Sequence, residues 1–323
     1  MFTLDELKEA SRTVYRAMQP TPQLAWPLLE EETGCNVWVK HENHTPIGAF
    51  KIRGGITFVE WLKTEGLKVA GVVTATRGNH GQSIARAATQ AGLKAKIVVP
   101  HGNSVEKYRA MKAFGAELIE FGSDFDSAKL EAARIASDEG FEFVPPFHRE
   151  LVRGVATYGL ELMLGAPPLD TIYVPIGCGS GICGLISARD CLGLDTKIVG
   201  VVSEHAATAK LSVEAGRLVE TNSADTFADG MAVRVPVKAA FDIYSEGADR
   251  IVAVSDEQIV EAMLCYLRTT HNLTEGAGAA PLAALMNERD RQSGKAVGLI
   301  MSGGNIDLSW TRQVIAGKVP SLS

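Results

Sequence analysis

The sequence has no uninterrupted apolar run reaching the roughly 18 residues that a membrane-spanning helix needs, so no spanning segment and no membrane partner are expected. It also lacks any excess of positive charge. Its 32 lysines and arginines face 38 aspartates and glutamates, a net charge of −6. That excludes the basic surface required by nucleic acid or an anionic bilayer. Cysteines are few, odd in number and scattered: Cys35, Cys178, Cys183, Cys191 and Cys265, with no CxxC pair. A disulfide framework and a structural zinc site are therefore not expected, and reduced thiols in the cytoplasm are. The N-terminal stretch Met1-Phe2-Thr3-Leu4-Asp5-Glu6-Leu7-Lys8 is acidic and amphipathic, which does not match a signal or transit peptide. There is no solenoid repeat and no low-complexity tract. What remains is an ordinary soluble composition, 46% hydrophobic and 22% charged over 323 residues, long enough for two domains or one α/β unit with two lobes.

Short β-branched runs alternate with helical patterns along most of the chain. Runs at 70–73, 96–99, 117–121 and 141–144 are separated by alanine-rich stretches of helical period at 82–91, 105–114 and 125–139. A second series runs through 171–174, 197–202, 250–254 and 296–301, with a helix expected over 256–269. That strand–helix–strand beat predicts parallel pairing through right-handed crossovers. Two open, mainly parallel twisted sheets flanked by helices are the expected fold, with proline-rich segments at 143–147 and 165–168 as a lobe boundary. Ligands of such sheets bind at the carboxyl ends of the strands. The glycine-rich turns that follow strands are therefore the places to search.

There are three. Thr74-Ala75-Thr76-Arg77-Gly78-Asn79-His80-Gly81-Gln82 leaves a strand and opens a helix, where free N–H groups and the positive end of the helix dipole suit a carboxylate or phosphate. The same residues would also serve as a plain helix cap. Gly177-Cys178-Gly179-Ser180-Gly181-Ile182-Cys183-Gly184 follows the next strand, and alternating glycines there let the backbone wrap a phosphate. Gly179 to Gly184 also spells GxGxxG, and Glu204 comes at the end of the following strand, as a dinucleotide site requires. A nicotinamide-dependent oxidoreductase is thus a competing reading. Met301-Ser302-Gly303-Gly304-Asn305 is the third turn, where Ser302 could meet a ring nitrogen or bond its own backbone. Apart from these stands Lys51, between Phe50 and Ile52 at the start of an expected helix. A lysine with apolar neighbours has a lowered pKa and can act as a Schiff-base amine, although most lysines are solvated surface groups.

Gly48-Ala49-Phe50-Lys51-Ile52-Arg53-Gly54, Arg77-Gly78-Asn79-His80-Gly81-Gln82, the Gly177–Gly181 loop and Ser302-Gly303-Gly304-Asn305 occur in that order. In this the chain resembles the fold-type II pyridoxal-phosphate enzymes, and among them the serine/threonine dehydratases and serine racemase. The likeness runs from about Thr21 to Leu308 and includes Asp229-Gly230-Met231-Ala232-Val233 and Glu275-Gly276-Ala277-Gly278-Ala279-Ala280. No stretch corresponds to the regulatory domain of biosynthetic threonine dehydratases, which resembles the short, catabolic members.

The resemblance implies pyridoxal 5′-phosphate as cofactor, held covalently by Lys51, with Phe50 packed beside it and Asn79 on its 3′ oxygen. It implies that Gly177, Cys178, Gly179, Ser180 and Gly181 hold the phosphate and Ser302 the pyridine nitrogen. Thr76, Arg77, Gly78, Asn79 and His80 would bind a small amino-acid substrate by its carboxylate. The implied reaction is β-elimination from a 3-hydroxy amino acid, L-threonine or L-serine, giving a 2-oxo acid and ammonia. Alternatives within the family are dehydration of 3-hydroxyaspartate or phenylserine, and amino-acid racemisation. A large cofactor-binding domain from residues 1–46 and 147–323 and a smaller mobile domain from 47–146 are implied, as is a homo-oligomer, dimer or tetramer. No metal is expected, because Val202 and Thr208 align with the two acidic positions of metal-activated relatives; Glu204 lies two residues out of register. Arg77 departs from the family, which has serine there in the racemase and commonly alanine in the dehydratases.

Overall fold

The computed structural model describes residues 1–123 and 125–321. Ten strands are found among them: β1 (Gln23–Ala25), β2 (Asn36–His41), β3 (Gly71–Ala75), β4 (Lys94–Val99), β5 (Glu117–Glu120), β6 (Phe141–Phe143), β7 (Thr171–Pro175), β8 (Lys197–Ser203), β9 (Arg250–Val254) and β10 (Ala296–Met301). They form two sheets. The larger has the order β1-β2-β10-β7-β8-β9 and the smaller β5-β4-β3-β6. All pairings are parallel except β1 with β2 at one edge. The two-sheet α/β architecture expected from the sequence is thus the one observed. β8 stops at Ser203 rather than at Glu204, because the Ser203 hydroxyl accepts the N–H of His205 at 3.2 Å and caps a short 3₁₀ turn.

Both faces of the large sheet are covered, as parallel strands require. Along β7, β8 and β10 successive side chains alternate between two cores. Tyr173, Val199, Val201, Val297 and Leu299 face one core with the helices Asp256–Thr270 and Gly276–Asn287. Ile172, Val174, Ile198 and Ile300 face the other with the helices Arg149–Gly165 and Ser180–Leu192. The small sheet is enclosed in the same way. Val72, Ile97 and Val99 pack against the helices Lys51–Thr64 and Asn79–Gln90, and Val73 and Val98 against Phe125–Glu139. No helix among the described residues is long and apolar enough to cross a membrane.

A buried ion network joins the segment after β2 to the helices Lys51–Thr64 and Arg149–Gly165. The Arg53 guanidinium donates to both oxygens of Glu42 (2.7 and 2.9 Å) and both of Glu161 (2.6 and 2.9 Å), and to the Thr157 hydroxyl at 2.9 Å. Lys40 pairs with Glu161 at 2.5 Å and donates to the Thr21 carbonyl at 2.9 Å. Two cations and two carboxylates therefore neutralise each other where water cannot, with bidentate geometry that offsets their desolvation.

Candidate functional site

Each glycine-rich turn leaves the carboxyl end of a parallel strand: 76–80 after β3, 177–181 after β7 and 302–305 after β10. Lys51 opens the helix Lys51–Thr64, which follows the loop after β2. The packing of the two sheets brings all four together. The antiparallel bridge Ala49–Gly303, the Phe50 N–H to the Ser302 carbonyl (3.0 Å) and the Gly304 N–H to the Gly48 carbonyl (2.9 Å) stitch the lysine turn to the third glycine turn. The Lys51 amine donates to the Ser180 hydroxyl at 3.0 Å, joining it to the second. Asn305 Nδ2 donates to Asn79 Oδ1 at 2.7 Å, joining the third to the first.

The environment of Lys51 is set by burial. Its ammonium lies 5.0 Å from the centre of the Phe50 ring, which itself meets Tyr158 edge-on. Desolvation pushes the amine's pKa down, and the Cys178 and Glu275 groups oppose this only in part. Burial pushes the Cys178 thiol up, so it remains protonated despite the nearby lysine. His80 is buried too, and desolvation, with the Lys51 charge second, takes its ring down to about 3. Its Nε2 has no hydrogen-bond partner among the described residues.

The second turn has the form of an anion nest. Gly179, at φ 97°, adopts a left-handed conformation that side chains resist, and places its residue at the start of the helix Ser180–Leu192. A Cβ on Gly177 would fall 2.2 Å from the Gly230 carbonyl, so only glycine fits there. In the first turn the Thr76 hydroxyl accepts the Gly78 N–H at 3.1 Å, and the helix begins at Asn79. Arg77 is exposed and makes no hydrogen bond or ion pair among the described residues. Ser302 is 3% exposed, and its hydroxyl likewise has no partner among them.

One further group enters the site from outside these turns. Glu275 precedes the helix Gly276–Asn287, takes the Gly303 carbonyl with its N–H at 3.0 Å, and accepts from Asn79 Nδ2 with both oxygens at 2.9 and 3.1 Å. Burial raises its pKa, against the hydrogen bond from Asn79. The sequence marked Glu275 only as part of a similar segment; nothing local indicated its pairing with Asn79 almost 200 residues earlier.

An amine with a lowered pKa, a backbone nest at a helix start, and on the third turn a hydroxyl with no partner among the described residues meet the chemical demands of a phosphorylated aldehyde with a heteroaromatic ring. The family model described as pyridoxal-phosphate dependent enzyme matches residues 14–303. The chain belongs to this family.

As a pyridoxal-phosphate dependent enzyme it has relatives of several activities. An L-threonine ammonia-lyase of Thermotoga maritima is 36% identical over 316 residues, covering 98% of this chain and 78% of the relative. The L-threo-3-hydroxyaspartate ammonia-lyase of Saccharomyces cerevisiae is 30% identical over 317 residues, covering 98% of this chain and 97% of the relative. The solved structure of maize serine racemase superposes with a TM-score of 0.91 at 28% identity, covering 97% of each chain. Membership of this family leaves the nicotinamide reading without support.

Proposed function

We propose that this chain is an ammonia-lyase that removes water from a 3-hydroxy amino acid, L-threonine or L-serine, and releases a 2-oxo acid and ammonia. The observation that carries the reading is the Lys51 amine at 3.0 Å from Ser180, at the mouth of the glycine nest and on a turn bonded to Ser302. In this reading the nest of Gly177, Cys178, Gly179, Ser180 and Gly181 holds the cofactor phosphate, Ser302 the pyridine nitrogen and Asn79 the 3′ oxygen, with Phe50 packed alongside. When bound, pyridoxal phosphate draws electrons from the substrate Cα and makes its proton removable. Thr76, Gly78, Asn79 and His80 present the start of the helix Asn79–Gln90 to the substrate carboxylate. Lys51 Nζ, whose pKa burial lowers, takes the Cα proton and then, as the ammonium, hands a proton to the departing hydroxyl. Glu275 fixes the Asn79 amide, leaving its orientation no freedom to drift. The smaller unit, residues 47–146, would close over the substrate, and the assembly would be a homo-oligomer.

Turnover of L-threonine, L-serine, L-threo-3-hydroxyaspartate and phenylserine by the holoenzyme, read as 2-oxo acid, tests this. Rapid oxo-acid formation from threonine or serine supports it; none from any of the four overturns it. Arg77 favours one second reading. It is exposed within the carboxylate loop and has no partner among the described residues, so a substrate with a second carboxylate, 3-hydroxyaspartate, would find a cation there. An arginine keeps its charge and cannot return a proton to Cα, so racemisation by this enzyme should be slow.

A further inference from the structure

The first turn of the helix Val105–Ala113 reaches from the small-sheet unit to the large one through three residues. Ser104 caps the helix by accepting the Lys107 N–H at 3.1 Å and donates to Asp307 at 2.6 Å. Glu106 accepts the Leu308 N–H, each oxygen at 3.2 Å. Lys107 forms an ion pair with Asp229 and lies 6.0 Å from the centre of the Trp310 ring.

Lys107 differs from an ordinary surface cation. It is 8% exposed, and the charges of Asp229, Glu275 and Asp307 hold its pKa up against burial. Its stem lies along the substrate loop, since a Cβ on Gly78 would be 3.4 Å from Lys107 Cδ. Its head meets Asp229, whose neighbour Gly230 presents the carbonyl that packs against Gly177 of the phosphate nest. One ion pair, its lysine buried and its aspartate 38% exposed, therefore touches the support of both loops.

We propose that Lys107 is a positioning residue that ties the substrate loop to the phosphate loop through Asp229, so that the 76–80 turn is set for a carboxylate only while the two units are joined. This rests on the proposed function for its kinetic consequence alone. Removing Asp229 takes the nearest partner from the buried Lys107 charge, and removing Lys107 takes away the tie itself, so the loss of both should not exceed the loss of either.

Lys107→Met keeps most of the stem and deletes the charge; Asp229→Asn deletes the other charge. In the holoenzyme without substrate, each should speed amide hydrogen exchange at 104–108 and at 76–80. In turnover, each should raise KM by roughly tenfold or more with a smaller change in kcat, and the double variant should be no worse than the single ones. Lys107→Arg should restore most of the native KM and exchange protection. Unchanged exchange in both single variants, or single effects that multiply in the double, would overturn the proposal. Exchange needs no substrate: a native enzyme inactive on every hydroxy amino acid, with exchange still altered by Lys107→Met, would remove the proposed function and leave the tie standing.

Discussion

His80 and His41 enter the fold as neutral rings. Burial takes His80 from 6.5 down to about 3, with Lys51 adding to the shift, and His41 from 6.5 down to about 4, with His44 adding to it. The unfolded chain therefore binds more protons than the native one below pH 6.5, and the stability these rings contribute is present above that pH and lost as pH falls. Between about pH 7 and about pH 5.5 each should withdraw about 1 kcal/mol of stability. Denaturant midpoints at the two pH values check this, and His41→Gln should show a shallower loss than the native protein. Ser302 offers a second test. Ser302→Ala should weaken cofactor binding modestly. Ser302→Asp, by holding a proton on the pyridine nitrogen, should slow elimination; an unchanged absorption spectrum and rate in both would remove Ser302 from the site. His80 and Ser302 were legible in the sequence because each stands in a glycine-rich turn after a strand. Glu275 was not, because its pairing with Asn79 exists only in the fold.

Among the elements, β2 shows what the pattern hides. Lys40 lies in this strand fully buried, which a hydrophobic alternation argues against, and only its pairing with Glu161 makes that tolerable. The same network depends on Arg53, two residues from Lys51. Arg53→Met should cost about 3–5 kcal/mol, because Glu42 and Glu161 would stay buried with too little compensating charge. Chemical denaturation measures it, and a loss below the error of extrapolation would show the network to be dispensable. β3 to β10 were legible because their β-branched runs lie between helices of clear period; β1, three residues long, has no pattern to read. The end of β8 carries a prediction about metal. Val202 and Thr208 are buried without carboxylates and Glu204 is exposed, so activity should survive chelation. Loss on chelation with recovery on adding magnesium would contradict this.

At the scale of the whole molecule, the site is a product of how two sheets meet. Lys51 and Ser180 are 129 residues apart in sequence, yet their side chains are hydrogen-bonded, and the three glycine turns converge from strands of both sheets. Periodicity predicts the sheets but not their mutual placement. The convergence was readable only through the ordered set of motifs that the chain shares with its family. In the proposed function Lys51 is both the cofactor-binding amine and the base for Cα. The most direct test is the rate of 2-oxobutanoate formation from L-threonine by Lys51→Ala, prepared free of host dehydratase and saturated with pyridoxal phosphate. A loss of several orders of magnitude is expected, since the covalent and proton-transfer roles vanish together. Turnover near the native rate would contradict it.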